Sequence, residues 1–308
     1  MLIPLVKNCF GLDVSIDYFR WKYLNNPAGH FIGFIAVESE TNEVAAYYGV
    51  IPQTFFIEGK QKTIYQSCDT MTHSNHRRQG LFKRLALKCY DYLKENQKLF
   101  IIGFGGETST PGFLKFGWKK VFDFRYYFKP NLLCQSARFY NDQEKNIFEL
   151  QEFNKIERLF QQEESEAKIV SKRNVIHFTW RVSNPLYDYK TVYFSKDDKI
   201  EGYITFYIHN NKILLFDFIF NSNNSEKSLL LFLSNLVIKN KYKGIVSFCQ
   251  ENGNAVKILS RNKFITNPLN RGPLSNKVPF IFFAEDQVME KFSEPNFWEI
   301  KSYDHDSL

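Results

Sequence analysis

The sequence predicts an α/β protein built from two similar domains, each a mixed, largely antiparallel sheet flanked by helices. Strand-like runs alternate with turns through the first 70 residues, and an amphipathic helix and a further strand follow. A meander that leads into a β-α-β unit is typical of α/β domains. The same order of elements recurs in the second half, which indicates a duplication.

In the first half, we predict a helix over 13–24, strands over 30–38, 43–51, 54–58 and 62–71, a helix over 80–95, a strand over 99–104, a helix over 110–116 and a strand over 120–128. The long helix is amphipathic, because Leu81, Leu85, Cys89 and Leu93 recur at four-residue spacing.

The duplication is visible in short matching segments. FRWKYLNNP and FTWRVSNP contain Trp21 and Trp180, which lie 159 positions apart. Residues 107–124 and 251–268 also correspond, since each runs from an acidic turn through a short helix to a basic residue and an aromatic one. Several matches in one order indicate two like domains rather than a solenoid. We expect each tryptophan to anchor the first helix of its half to its own sheet.

The duplication predicts where the chain divides. Residues 1–133 are expected to form the first domain and residues 169–308 the second, with the polar segment 134–168 as a partly helical connection. The closing segment NFWEIKSYDHDSL contains Asp304 and Asp306 among aromatics. Such a segment is suited to close over a pocket, but we expect a solvated tail.

Composition limits the class of protein. Hydrophobic residues make up 44% of the chain and aromatic residues 17%, as in a globular protein. A net charge of +7, spread along the chain, suits small anionic ligands at least as well as nucleic acid. The five cysteines form no CxxC or Cys/His ligand pair, so we expect reduced thiols and no metal. With no apolar run of membrane-spanning length, we expect a soluble, cytoplasmic protein.

The turn DTMTHSNHRRQGLF, residues 69–82, joins an apolar strand to the long helix. A helix that begins at Gly80 leaves its first N–H groups unpaired, and its dipole adds positive charge there. Glycine admits a ligand close to the backbone, and Arg77 and Arg78 add charge-assisted donors. These features favour a pyrophosphate cradle. The alternative is an ordinary loop in which Ser74 or Asn75 helps to cap the helix.

This strand–turn–helix order resembles the GNAT family of acyl-CoA-dependent N-acyltransferases, whose motif is (Arg/Gln)-x-x-Gly-x-(Gly/Ala). RRQGLF fits it except that Phe82 replaces the final small residue. TPGFLKFGW likewise resembles the closing helix and strand of that family. The resemblance implies acetyl-CoA or another acyl-CoA as co-substrate, with the pyrophosphate on the turn and the pantetheine arm along the preceding strand. The implied coenzyme contacts are Thr70, Met71, Thr72, Arg77, Arg78, Gln79, Gly80, Leu81 and Phe82.

The second half resembles the same fold without the cradle. Residues 216–233 read FDFIFNSNNSEKSLLLFL and contain neither glycine nor arginine. Glu226 would fall in the first turn of a helix there and would repel a phosphate. We therefore expect one coenzyme site, in the first half.

Acyl transfer to an amine requires a proton acceptor. The candidate bases are Asp69, at the end of an apolar strand, Glu107, which follows GFGG, and His73, in the turn. For each, a capping or salt-bridging role is the alternative. Many family members use a tyrosine as the final acid, but Phe113 stands at that position. Another residue then serves, or the thiolate leaves unassisted.

The acceptor is implied only by resemblance. The first helix and its following loop line the acceptor site in the family, which implies Tyr23, Asn25 and Asn26 as contacts. FRWKYLNNPAG, YYGVIP and DTMTHSNHRRQGLFKRL, in this order, are most similar to tandem GNAT enzymes that acylate a dTDP-linked 3-amino-3,6-dideoxyhexose for surface polysaccharide synthesis. A nucleotide-sugar partner agrees with the positive charge, and the acyl group is acetyl or a larger group such as hydroxybutanoyl.

Two other functions stay open. A tandem enzyme that uses aminoacyl-tRNA to extend peptidoglycan peptides would show steeply salt-dependent binding and would not need the intact RRQG turn. A non-catalytic acyl-CoA-binding protein would bind the coenzyme without turnover. The turn argues against the first alternative, and only an assay excludes the second.

Overall fold

The computed structural model describes residues 2–106, 109–135, 146–161, 167–267, 274 and 276–305. The elements of the first half are α1 (Ile3–Phe10), α2 (Ile16–Phe19), β1 (Ile32–Val37), β2 (Val44–Ile57), β3 (Lys60–Thr72), α3 (Leu81–Glu95), β4 (Phe100–Phe104), α4 (Thr110–Lys115), β5 (Lys119–Pro130) and α5 (Asn131–Gln135). Those of the second half are β6 (Ile147–Glu149), α6 (Glu157–Gln161), β7 (Ile169–Ser171), α7 (Val175–Val182), β8 (Lys190–Lys196), β9 (Lys199–His209), β10 (Lys212–Phe220), α8 (Asn223–Lys239), β11 (Gly244–Gln250), α9 (Asn254–Arg261), β12 (Ile265–Thr266), β13 (Val278–Ala284), α10 (Asp286–Lys291) and β14 (Trp298–Glu299).

The described strands form one continuous sheet. Their order is β14-β7-β2-β3-β4-β13-β5-β11-β10-β9-β8-β6, with β1 beside β2 and β12 beside β5. The two halves exchange a strand, because β13 pairs with β4 of the first half while β5 pairs with β11 of the second. β5 and β13 also pair with each other. The halves therefore share one sheet, and the division into separate domains at residue 133 stays a prediction.

Helices α3 and α8 cover the same face of this sheet. Ile101 of β4 packs under α3, whereas Ile102 and Phe104 point to the opposite face, as alternation along a strand requires. Phe248 of β11 shares that opposite face with Phe104, and its neighbour Cys249 packs with the buried leucines of α8. No helix in the described part of the chain is long and apolar enough to cross a membrane.

The duplicated tryptophans contact each other where the halves meet. Their rings are stacked with centroids 5.2 Å apart. The Nε1 of Trp21 donates to the carbonyl oxygen of Trp180 at 2.6 Å, and the Nε1 of Trp180 donates to that of Trp21 at 2.8 Å. Trp21 packs in its own half as predicted, but Trp180 packs against the same first-half cluster. The prediction for Trp180 was wrong because its indole joins the two halves.

Most predicted elements are present within a few residues of the expected ends, and the helix expected over 13–24 is α2 continued by a π-helical segment, Arg20–Leu24. Two differences remain. The helix α1 was not predicted. The strands expected over 43–51 and 54–58 are one strand, β2, which contains Pro52. On one edge of β2, β1 pairs with it only up to Val50 and β7 only from Phe55. Pro52 therefore lies between these two pairings, where no described strand is paired with that edge. A residue without an N–H is tolerated at such a position.

The C-terminal segment is buried, which corrects the expectation of a solvated tail. Tyr303 and Asp304 are 5% and 4% exposed. The Oγ of Ser302 donates to the carbonyl oxygen of Phe248 at 2.6 Å and so ties the segment to β11. Burial raises the pKa of the Asp304 carboxyl above its usual range. Residues 306–308, with Asp306, lie outside the described residues.

Candidate active site

A wedge-shaped gap opens between the parallel strands β3 and β4. Their last paired residues are Gln66 and Ile102, although β3 continues to Thr72 and β4 to Phe104. On its other edge, β4 is bound along its whole length to the exchanged strand β13, from Phe100 with Ala284 to Phe104 with Phe280. The second half of the chain therefore supports one wall of the gap.

The N-terminus of α3 lies at the end of β3 and is open. Its N-cap residue, Gly80, has φ 73° and makes no side-chain cap. A Cβ at Gly80 would meet nothing within 4 Å, so space for a ligand exists there. Arg77 and Arg78 are exposed, and Arg78 also has a left-handed φ of 65°. Unpaired N–H groups, positive charge and open space are the requirements of a diphosphate site.

The alternative for this turn, in which Ser74 or Asn75 helps to cap α3, does not agree with the structure. Ser74 and Asn75 form a short 3-10 turn, and His73 caps that turn by accepting a hydrogen bond at Nδ1 from the backbone N–H of Asn75 at 3.3 Å. Neither Ser74 nor Asn75 caps α3, whose N-cap is Gly80. His73 therefore has the capping role, which was its alternative to catalysis.

Phe82 departs from the family motif without obstructing the turn. Its ring packs into the core, 5.1 Å from the ring of Phe113 and 5.3 Å from that of Phe116. The side chain thus points away from the open helix end and leaves the backbone accessible. Phe113 is buried as well, 4.8 Å from Trp118, so this position has only a packing role.

The remaining predicted coenzyme contacts line the turn and the free end of β3. Gln79 is exposed beside Gly80, and Leu81 is the first residue of α3. Thr70 and Thr72 are half-buried, whereas the Met71 side chain is 1% exposed and packs in the core. Only the backbone of Met71 is therefore available to a ligand. The Nε of Arg77 lies 3.5 Å from the carbonyl oxygen of Thr72, so this side chain bends back toward β3.

Asp69 lies at a bulge in β3. An extra residue interrupts the pairing with β2 between Cys68 and Met71, and Asp69 has φ 47°. A bulge turns the local backbone away from the regular ladder. This one falls beyond the last β3–β4 pair, where the backbone borders the wedge.

The Asp69 carboxylate is held on both oxygens. Lys22, which is fully buried, donates to Oδ1 at 2.9 Å, and the Tyr23 hydroxyl donates to Oδ2 at 2.6 Å. Burial, then the Asp69 charge, raises the pKa of Tyr23 well above its ordinary value, so the phenol stays a donor. The buried Lys22 ammonium depends on this carboxylate for its counter-charge. The contacts of Asp69 thus fix the bulge, and its role as a base stays a prediction.

Glu107 lies outside the described residues, so the predicted trio of Asp69, Glu107 and His73 stays a prediction. Two predicted acceptor contacts are also engaged elsewhere. Tyr23 is occupied with Asp69, and Asn26 is buried, with its Nδ2 donating to the carbonyl oxygen of Pro52 at 3.0 Å and its Oδ1 accepting from the Ala28 N–H at 2.9 Å. Asn25 is exposed and stays available.

Residues that the sequence did not single out lie under the wedge, on the face opposite α3. Gln66 at the last β3–β4 pair is hydrogen-bonded to Gln53, whose Nε2 also donates to the carbonyl oxygen of Asp304 at 3.1 Å. His305 follows Asp304, and its ring centroid lies 4.2 Å from that of Phe104. No local pattern signals these contacts, because the segments that meet are far apart in sequence.

Arg181 holds this C-terminal segment in place. Its Nε donates to the carbonyl oxygen of Tyr303 at 2.8 Å, and its Nη2 donates to that of His305 at 2.6 Å. The guanidinium also lies 5.8 Å from the Trp21 ring, at the contact between the halves. His305 is therefore positioned by the second half against a strand end of the first.

The corresponding helix end in the second half is closed. Ser222 caps α8 by accepting from the Ser225 N–H at 3.1 Å. Glu226 occupies the first turn, where the Nε of Arg261 at 2.7 Å and the Nδ2 of Asn262 at 2.6 Å donate to its Oε1. The first turn of α8 thus contains a negative charge that would repel a phosphate. Among the described residues no cluster of His, Cys, Asp or Glu has the arrangement of a metal site.

Comparisons with known proteins agree with this geometry. Residues 2–121 match the family model of the acetyltransferase (GNAT) domain. No curated protein matches the chain. The chain is similar in structure to a GCN5-related N-acetyltransferase from Anabaena variabilis, with a TM-score of 0.67 and 13% identity, covering 91% of this chain and 69% of that one.

Two further solved structures share the fold. A probable N-acyltransferase from Enterococcus faecalis has a TM-score of 0.66 and 11% identity, covering 94% of this chain and 70% of that one. Saccharomyces cerevisiae N-myristoyltransferase with bound myristoyl-CoA has a TM-score of 0.60 and 14% identity, covering 92% and 75%. The predicted α/β class, a large mixed sheet flanked by helices, is confirmed. Residues 2–121 are therefore an acetyltransferase domain of the GNAT type, and the fold of the chain is that of known N-acyltransferases.

Proposed function

We propose that the protein moves an acetyl or hydroxybutanoyl group from coenzyme A, bound in the first half, to the amino group of a nucleotide-linked amino deoxysugar. The observation that carries this proposal is the open N-terminus of α3 beside the wedge between β3 and β4. The diphosphate would bind the turn from Arg77 to Phe82, and the pantetheine arm would pass between the strands. The capped end of α8 supports a single coenzyme site.

The acceptor amine would approach from the face opposite α3, because α3 covers the other face of the wedge. His305 is the base that this arrangement favours, since Asp69 is ion-paired and His73 caps a turn. The imidazole takes a proton from the acceptor ammonium, and the amine nitrogen then forms the C–N bond as the C–S bond breaks. The thiolate of coenzyme A leaves with the electron pair, which its low basicity permits without a positioned acid. The second proton of the attacking nitrogen passes through solvent to this thiolate, which gives the amide and the free thiol of coenzyme A.

The acceptor class rests on resemblance and charge. A dTDP-linked 3-amino-3,6-dideoxyhexose, used in surface polysaccharide, is the acceptor we test first. The net charge of +7 suits such an anionic substrate. A cytoplasmic enzyme without a nucleic-acid or membrane partner fits this reaction, because nucleotide sugars and coenzyme A are small soluble molecules.

The test is calorimetric titration with acetyl-CoA, with and without a panel of dTDP-amino sugars, followed by measurement of free thiol. We expect one coenzyme site per chain and thiol release with one sugar. Coenzyme binding without thiol release for any sugar would refute the proposed acceptor, and other amines and acyl-CoAs would follow. No coenzyme binding would refute the site itself and favour the tRNA-dependent alternative.

The role of His305 has its own test, in which His305→Ala is compared with His30→Ala at an exposed position. If His305 is the base, its removal lowers kcat about 10²–10⁴-fold, and added imidazole restores part of the rate. The acid limb of the pH profile is also lost in His305→Ala only. An unchanged pH profile without rescue would assign His305 a structural role.

A further inference from the structure

The second half contains a wedge of its own, between β10 and β11. These parallel strands have Leu215 and Ser247 as their last paired residues, although β10 continues to Phe220 and β11 to Gln250. The arrangement repeats the wedge between β3 and β4, as expected of a duplicated fold. The two wedges differ at their helix ends, since the N-terminus of α3 is open and that of α8 is capped.

The second wedge contains a cavity of about 270 Å³ that is partly open to the surface. The walls are mainly apolar, with Phe216, Phe218, Phe220, Ile258 and Ile300 among the lining residues. Moving an apolar group from water into such a cavity is favourable, because apolar surface is removed from water.

At its rim the cavity joins a wider surface groove of about 1020 Å³, because Gln250, Asn254 and Glu299 line both. The groove also presents the side chains of Asn252 and Asn296. Its floor is therefore rich in amides, which donate and accept hydrogen bonds without carrying charge.

The acidic residues of the groove are already paired. Glu251 accepts from the Nε of Arg125 at 2.7 Å, and Glu299 lies 3.5 Å from the Nζ of Lys301. Lys257 is the exposed cation of the rim. These charges nearly balance, which favours a head group without charge.

We propose that the second wedge binds an apolar chain whose uncharged, hydrogen-bonding head lies in the adjoining groove. A coenzyme is disfavoured in this wedge because Ser222 caps α8 and the negative charge of Glu226 in the first turn would repel a diphosphate. The site goes beyond the transfer reaction, since it requires neither an acyl donor nor turnover.

The test is calorimetric titration of the full chain with butyl, hexyl and octyl β-D-glucoside below their micelle concentrations, without coenzyme. Each methylene that enters the cavity contributes about 0.8 kcal/mol, so we expect the Kd to improve about fourfold for each added methylene. Octanoate has an apolar chain of similar length but a negatively charged head, so it tests whether Lys257 makes the groove prefer an anion. Binding of octanoate as tight as octyl glucoside, or an affinity that does not change with chain length, would overturn the proposal.

Location is tested with Ala255→Leu, which fills the lining of the wedge at α9. We expect this variant to lose at least tenfold in octyl glucoside affinity while it binds acetyl-CoA like the unmodified protein, which also shows that it folds. Arg77→Glu should show the reverse pattern. If Arg77→Glu abolished glucoside binding and Ala255→Leu did not, the chain would occupy the first wedge and the assignment would fail.

Discussion

Asp69→Asn separates the two roles that a strand-end carboxylate can have at this site. Asparagine keeps the size of the side chain and tolerates the φ of 47° at the bulge. It removes the charge that faces Lys22, which has no exposed surface. Removing one partner of a buried ion pair leaves the other charge uncompensated and lowers the free energy of unfolding by about 3–5 kcal/mol. Because 13% of the Asp69 side chain is exposed, we expect a value near 3 kcal/mol.

At roughly 2 °C of Tm per kcal/mol for a chain of this size, Asp69→Asn should lower Tm by about 6 °C in a thermal unfolding assay. The double variant Lys22→Met/Asp69→Asn removes both charges and should recover most of that loss. It should also keep the pH–rate profile of the unmodified enzyme. A double variant that folds but loses about 10³-fold in kcat together with the acid limb of the profile would refute this reasoning and make Asp69 the base.

Three further predictions follow from the contacts described. Arg77→Glu should raise the Kd of acetyl-CoA at least tenfold in calorimetry, since a charge-assisted hydrogen bond contributes about 1.5–3 kcal/mol, whereas Arg84→Glu at an exposed position inside α3 should change it little. Trp180→Phe removes the donor to the Trp21 carbonyl and should lower the free energy of unfolding by about 1–3 kcal/mol in urea, while loss of activity at unchanged stability would contradict a structural role. Burial, then nearby Lys172, lowers the pKa of His177, so folding favours its neutral form; stability should be complete above about pH 6.5 and fall below it, and His177→Gln should flatten this dependence of Tm on pH.

Much of the candidate coenzyme site could be predicted because its parts are contiguous. The four-residue spacing of the apolar positions predicts α3, and the adjacent RRQG turn predicts an open helix end. The roles of single side chains were harder to predict. Asp69 and His73 have the chemistry of bases, but Lys22 and the backbone of Asn75 occupy them. Such pairings depend on which side chains the folded chain brings together.

The sequence by itself determined most helices and strands of the first half, the duplication and the helix terminus suited to a diphosphate. Each follows from side-chain periodicity or from backbone groups of neighbouring residues, which are properties of a short segment. Only the tertiary structure decided the exchange of β5 and β13, the stacking of Trp21 on Trp180 and the position of His305 at Phe104. The two halves present similar strand edges. The sequence near each strand therefore does not distinguish a partner strand in the same half from one in the other half. Packing of the whole sheet makes that choice.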